Sequence, residues 1–69
     1  MVEVFKTNVQ EEQEAKKIVQ KLLEHFSECQ INFDLEDCDK ILRVEGKSIE
    51  PEIIIGLLNR NGCSCEVLT

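Results

Sequence analysis

The chain has 69 residues, of which 42% are hydrophobic and 32% are charged, and its formal net charge is −6. This length fits one domain, residues 1–69, and the acidic excess argues against nucleic acid and anionic membrane, which both require a basic surface. No run approaches the ~18 apolar residues of a membrane span, and "MVEVFKTNV" lacks the pattern of a signal peptide. We therefore expect a cytoplasmic protein whose four cysteines are reduced.

The first two predicted elements are a strand and a long amphipathic helix. The alternation in "VEVF" predicts a strand with Val2 and Val4 on one face and Phe5 on the other. The segment "NVQE" is typical of a helix start, in which Asn8 caps the free N–H groups and Glu11 reaches back. Apolar residues then recur at helical spacing and predict the buried stripe Ala15, Ile18, Val19, Leu22 and Phe26.

A hairpin, a second helix and a last strand follow. The alternation in "INFDLED" and "KILRVEG" predicts two paired strands with the inward residues Ile31, Phe33, Leu35, Leu42 and Val44. Pro51 suits the first turn of a helix, and Gly62 suits the left-handed position after its end. The inner stripe of that helix is Ile54, Leu57 and Leu58. The segment "CSCEVL" predicts a strand from Cys63 to Leu68 that points Cys63 and Cys65 the same way.

The element order βαββαβ predicts an α+β fold of the ferredoxin-like type. Its sheet has four antiparallel strands in the spatial order 4-1-3-2, with both helices on one face. In this topology the loop after the first strand, the hairpin turn and the loop before the last strand share one end of the sheet. Asn8, Cys38 and Cys63 should therefore lie at that end and Cys29 at the other.

The second half of the chain resembles a known family. The segment "INFDLEDCDKILRVEGKSIEPEIIIGLLNRNGCSCEVL" is similar to part of the heavy-metal-associated domains, the small modules of copper chaperones and metal ATPases. In that family a "V-x-V-x-L" strand, a "V-x-G" strand, a "D-P-E"-like helix start and a "G-Y/F-x-A-x-V" ending recur. The similarity of order and spacing covers nearly the whole chain, and it is specific from about Ile31 onward. The resemblance implies the same fold.

The metal-binding motif of that family is missing here. The family grips Cu(I) or a similar soft ion with the two thiolates of "G-M-x-C-x-x-C" between the first strand and the first helix. This chain has "FKTNVQEEQEA" there, which places Asn8 and Glu11, or in a second register Glu11 and Glu14, at the two cysteine positions. Amide and carboxylate oxygens favour hard cations, and one or two of them make a poor site. We therefore expect no cofactor in this loop.

Cys63 and Cys65 are the alternative metal ligands. They lie at the end where the family binds metal and point the same way, so they are candidates to hold Cu(I) or another soft metal in a carrier with relocated ligands. Against this, free cysteine is among the most buried residue types, and both thiols can simply fill the core. Cys38, in the polar turn "EDCDK", should be exposed and able to join two molecules.

A patch on the open face of the sheet is a candidate of another kind. Phe5, Ile41 and Leu68 are predicted to point away from the helices on adjacent strands, within an acidic rim, and such a patch can contact a protein partner or form a homodimer. An enzyme is disfavoured, because no nucleophile–base pair is discernible and the first loop lacks the phosphate-binding arginine of acylphosphatases. We expect a non-enzymatic interaction or regulatory module, with a metal carrier as the alternative.

Overall fold

The computed structural model describes residues 1–68, which form four strands and two helices. The elements are β1 (Val2–Thr7), α1 (Glu12–His25), β2 (Gln30–Asp34), β3 (Ile41–Glu45), α2 (Pro51–Arg60) and β4 (Cys65–Leu68). One sheet of four antiparallel strands with two helices confirms the predicted α+β class. No helix in residues 1–68 combines the length and the apolar character needed to cross a membrane.

The strands lie in the order β2-β3-β1-β4, which reads 4-1-3-2 from the β4 edge. The central strand β1 is antiparallel to both of its neighbours. Phe5 stands opposite Leu42 of β3 on one side and opposite Val67 of β4 on the other. Within residues 1–68, β2 and β4 each pair on one side only, so they form the two edges of the sheet.

The core lies between one face of the sheet and the two helices. Six residues of the predicted helix stripes are buried in it: Ala15, Ile18, Leu22, Ile54, Leu57 and Leu58. The other two predicted residues, Val19 and Phe26, are only partly buried. The sheet contributes four fully or almost fully buried side chains, Phe5, Ile31, Leu42 and Val44. Burial of a side chain of this size contributes about 1.5–3 kcal/mol, so these residues supply most of the hydrophobic stabilisation of so small a domain.

The predicted orientation of β1 is wrong. Phe5 has no exposed surface, whereas Val2 on the opposite face is 49% exposed. Because β1 is central and apolar on both faces, its alternation alone does not decide which face meets the helices. The larger apolar area of a phenylalanine ring favours placing Phe5 in the core. Phe5 therefore leaves the predicted surface patch.

The ends of the helices match the predictions only in part. Pro51 opens α2, and Gly62 follows it with a φ of +80°, as predicted. Helix α1 begins at Glu12 with Glu11 at its N-cap, and no side chain caps it. The predicted cap by Asn8 is therefore wrong, because Asn8 lies too far before the helix and binds another partner. The last strand begins at Cys65, which leaves Cys63 in the turn before it.

Candidate functional site

Three connections meet at one end of the sheet, which we call the loop end: residues 8–11, 35–40 and 61–64. The amide of Thr7 donates to the carbonyl of Asp39 at 3.1 Å, and the Thr7 hydroxyl donates to the carbonyl of Lys40. The same hydroxyl accepts from the amide of Val9 at 3.3 Å. Thr7 is the buried polar residue that fastens the hairpin turn to the end of β1, so the predicted meeting of these loops is confirmed.

The hairpin turn is closed from within. Lys40 has a φ of +47°, a left-handed conformation that is uncommon for a residue other than glycine. The amide of Lys40 donates to the carbonyl of Asp37 at 3.0 Å, and its ammonium donates to the carbonyl of Leu35 at 2.8 Å. These bonds hold the turn in one conformation.

Asn8 joins the first loop to the last. Its side-chain oxygen accepts a hydrogen bond of 2.8 Å from the amide of Ser64. This bond replaces the predicted helix cap and ties the loop after β1 to the turn before β4. One alignment places Asn8 at the first cysteine of the family motif. At that position the side chain of Asn8 forms a hydrogen bond within the protein.

Cys63 is buried, with 5% of its surface exposed. Its amide donates to the carbonyl of Leu58 at 2.9 Å, and its thiol lies 3.8 Å from the carbonyl of Asn61. Burial, followed by the negative charge of Glu14 and a hydrogen bond with that carboxylate, raises the pKa of the Cys63 thiol. A metal binds the thiolate, so each of these influences opposes soft-metal binding by Cys63 at neutral pH.

Cys65 lies in β4 opposite Thr7, partly buried against the core. Burial, and secondarily the neighbouring Cys63, raises the pKa of the Cys65 thiol to about 11. The influence of Cys63 on the pKa of Cys65 indicates that the two thiols lie near each other. Both are held as neutral thiols on the core side, which is the environment of packing cysteines and the opposite of an activated metal ligand.

The hairpin turn carries a cluster that the sequence analysis did not identify. Ligand atoms of Asp37, Cys38 and Asp39 lie within 4.8 Å of one another, and Cys38 is exposed as predicted. A carboxylate oxygen of Asp37 accepts from the amide of Asp39 at 2.8 Å, and Asp39 lies 3.8 Å from the ammonium of Lys6. The two carboxylates thus have partners within the chain, and the cluster shows no second feature that points to a cation.

The open face of the sheet carries an apolar strip formed by four residues: Val2, Val4, Ile41 and Leu68. Val2 and Leu68 are 49% and 39% exposed, and Val4 pairs directly with Leu68. Ile41 and Leu68 lie on this face as predicted, while Val2 and Val4 take the place that was assigned to Phe5. Because both valines were visible in "VEVF", the opposite orientation of β1 would have identified the strip from the sequence.

Charged side chains surround the open-face strip. Lys6 pairs with Glu66 across β1 and β4, Arg43 stands opposite Val4, and Glu45 stands opposite Val2. The strip is therefore an apolar centre with charges of both signs around it.

Comparison of the chain with protein-family models, with curated proteins and with solved structures gives no match.

Proposed function

We propose that this protein is a non-enzymatic interaction module with a ferredoxin-like fold, related in plan to heavy-metal-associated domains but without their soft-metal site. The element order and the strand order β2-β3-β1-β4 support this proposal. At the loop end the proposal is supported by the residues that replace the metal motif. Asn8 is bonded to Ser64, and Cys63 is buried beside the carboxylate of Glu14.

The observation that carries the proposal is the open-face strip. It places four aliphatic side chains on three adjacent strands, and two of them are more than a third exposed. Apolar side chains on the strands of a sheet contribute to binding at a low entropic cost, because no loop has to be ordered. The mixed charges around it supply specificity for a partner.

The test compares partners captured by the wild type and by variants. Val4→Glu and Ile41→Glu each place a charge in the strip, whereas Leu23→Glu places the same charge at a 37% exposed leucine of α1. We expect a partner recovered in stoichiometric amount by the wild type and by Leu23→Glu, and lost by both strip variants. Equal recovery by all four proteins, or a monomer with no partner at all, would contradict the proposal.

The alternative function is a metal carrier that uses Cys63 and Cys65. The observation in its favour is that the two thiols are neighbours at the loop end. Reduced protein titrated with Cu(I) against a competing chelator tests it, in a Cys38→Ser background that removes the exposed thiol. The interaction proposal expects no tight one-to-one binding in this background. Tight binding that Cys63→Ser abolishes would establish the carrier instead.

A further inference from the structure

Strand β2 is an edge with nothing paired to its outer side in residues 1–68. Its outward N–H and C=O groups are therefore available to another strand. Natural edge strands are commonly blocked by proline, by lysine or by a bulge, and the sequence "QINFD" of β2 has neither proline nor lysine. Its register with β3 is continuous from Gln30 to Asp34, without a bulge.

A groove runs beside this edge, between β2 and α1, with a volume of about 880 Å³. Cavities that bind ligands in proteins commonly have ~300–1,000 Å³, so the groove can receive several side chains. Val19 of α1 and Phe33 of β2 line it, and both are only partly buried against the core. Apolar side chains thus remain accessible immediately next to unpaired backbone groups.

The charges along the groove are mainly acidic. Glu12, Asp34 and Glu36 line it, against the single cation Lys16. The whole chain carries a net charge of −6, so its long-range field also attracts cations. The edge thus offers unpaired backbone groups, space for apolar side chains and an acidic border. These three features together favour an extended segment with apolar and basic side chains.

We propose that β2 binds an extended peptide segment of a partner by strand addition, with apolar side chains entering the groove at alternate positions and basic side chains between them. Backbone hydrogen bonds along β2 supply affinity, and the groove selects the apolar side chains. The basic side chains face the opposite way, toward Asp34 on the open face, or lie at the ends of the groove. The inference rests on the proposed interaction role and uses the outer edge of β2, where Asp34 borders Ile41 of the open-face strip.

A second copy of the chain fits this edge less well. A two-fold pairing of β2 with itself centred on Asn32 brings Ile31 opposite Phe33, which is favourable. Continued by two residues on either side of the strand, the same pairing sets Glu28 opposite Glu36. It also unites two chains that each carry a charge of −6. Like charges directly opposite one another destabilise a sheet, so the edge favours a basic partner over a copy of itself.

The probe for the test is a synthetic peptide of roughly eight residues, enough to cover one strand, in which lysine alternates with valine or isoleucine. One matched peptide replaces each lysine by glutamate. Another carries N-methyl groups on alternate backbone amides, which removes hydrogen bonds and leaves the side chains unchanged. Binding is measured by titration, and amide hydrogen exchange identifies the strand that is protected.

The protein variants separate the groove from the rest of α1. Val19→Lys places a cation in the groove, and Leu23→Lys places the same cation one turn later at an exposed leucine outside the lining. We expect the lysine peptide to bind the wild type and Leu23→Lys equally, to lose at least about tenfold in affinity for Val19→Lys, and to protect β2 amides rather than β4 amides. Thermal unfolding of each variant verifies that it is folded.

The glutamate peptide and the N-methylated peptide should both fail to bind. Equal binding of the lysine and glutamate peptides, unchanged binding by folded Val19→Lys, or protection confined to β4 would each overturn the inference. Dimerisation of the chain through β2 in the absence of peptide would overturn it as well, since the edge would then have a different occupant. Failure of the peptide together with strip-dependent capture would refute the groove and leave the proposed function standing.

Discussion

The two ends of the sheet use their polar atoms and cysteines in contrasting ways. At the loop end, Thr7 and Asn8 bond to backbone groups of distant turns, and Cys63 is buried beside Glu14. At the opposite end, Cys29 packs against Gly46, and the amides of these two residues donate to the backbone carbonyls of Phe26 and Met1, each at 3.0 Å. The comparison teaches that Cys63, which lies at the end expected for a metal site, packs within the protein as Cys29 does at the far end.

The largest effect is expected from Thr7→Val at the loop end. The change keeps the volume of Thr7 but removes the hydroxyl, which leaves the Lys40 carbonyl and the Val9 amide without their partner. An unsatisfied buried group costs about 1–3 kcal/mol, so we expect a loss of about 2–4 kcal/mol in the free energy of unfolding. Denaturation in urea measures it. Thr7→Ser keeps the hydroxyl, and an equal loss in that variant would assign the effect to packing.

Gly46→Ala tests the opposite end. A Cβ added at Gly46 would lie 2.5 Å from the sulfur and 3.3 Å from the Cβ of Cys29, so a neighbour has to shift. Overpacking of this kind typically costs about 1–3 kcal/mol. We expect Cys29→Ala to recover a large part of that cost in the double variant, as measured by a double-mutant cycle. Additive effects of the two changes would show that the sulfur does not limit the space at Gly46.

Asn8→Ala is expected to have a smaller effect. It removes the acceptor of the Ser64 amide, a partly solvated bond, and should cost about 0.5–1.5 kcal/mol. The specific signature is faster hydrogen exchange at the Ser64 amide. Asn8→Asp retains an acceptor and should restore most of the protection. If Asn8→Ala instead accelerated exchange in the first turn of α1, the residue would be acting as the helix cap after all.

The smallest expected effect is on the pH dependence of stability. Burial raises the pKa of Cys65 to about 11 in the folded protein, whereas an unfolded cysteine titrates near its ordinary value of about 8.5. Between these values the folded state binds more protons than the unfolded state, so stability falls as the pH rises. Urea denaturation from about pH 8 to about pH 10.5 should show a shallower fall for Cys65→Ala than for Cys38→Ala. Identical slopes for the two variants would contradict the buried position of Cys65.

The elements of the fold were readable from the sequence because their patterns are local. The stripe of α1 and the alternation of the hairpin each depend on neighbours within a few residues, and Pro51 and Gly62 each mark one end of α2. The orientation of β1 was not readable in the same way. Its partners Leu42 and Val67 are distant in the chain, and only their position shows which face of β1 is covered.

The candidate site was less predictable than the fold for the same reason. Asn8 looked like a helix cap because its competing partner, the amide of Ser64, lies 56 residues away. The contact of Glu14 with Cys63 also joins the first helix to the last turn. The groove beside β2 depends on how α1 sits over the sheet, which no local pattern of residues specifies.

The central position of β1 has a consequence for synthesis of the chain. Its last hydrogen-bonding partner is β4, so that Val4 pairs with Leu68 only after almost all of the described residues have been translated. Until then the side of β1 that pairs with β4 is an unpaired edge, and the strand itself carries the apolar residues Val2 and Phe5. Sheets built from such distant pairings form slowly and expose aggregation-prone edges meanwhile. The nascent chain should therefore depend on shielding at β1 until residues 65–68 leave the ribosome.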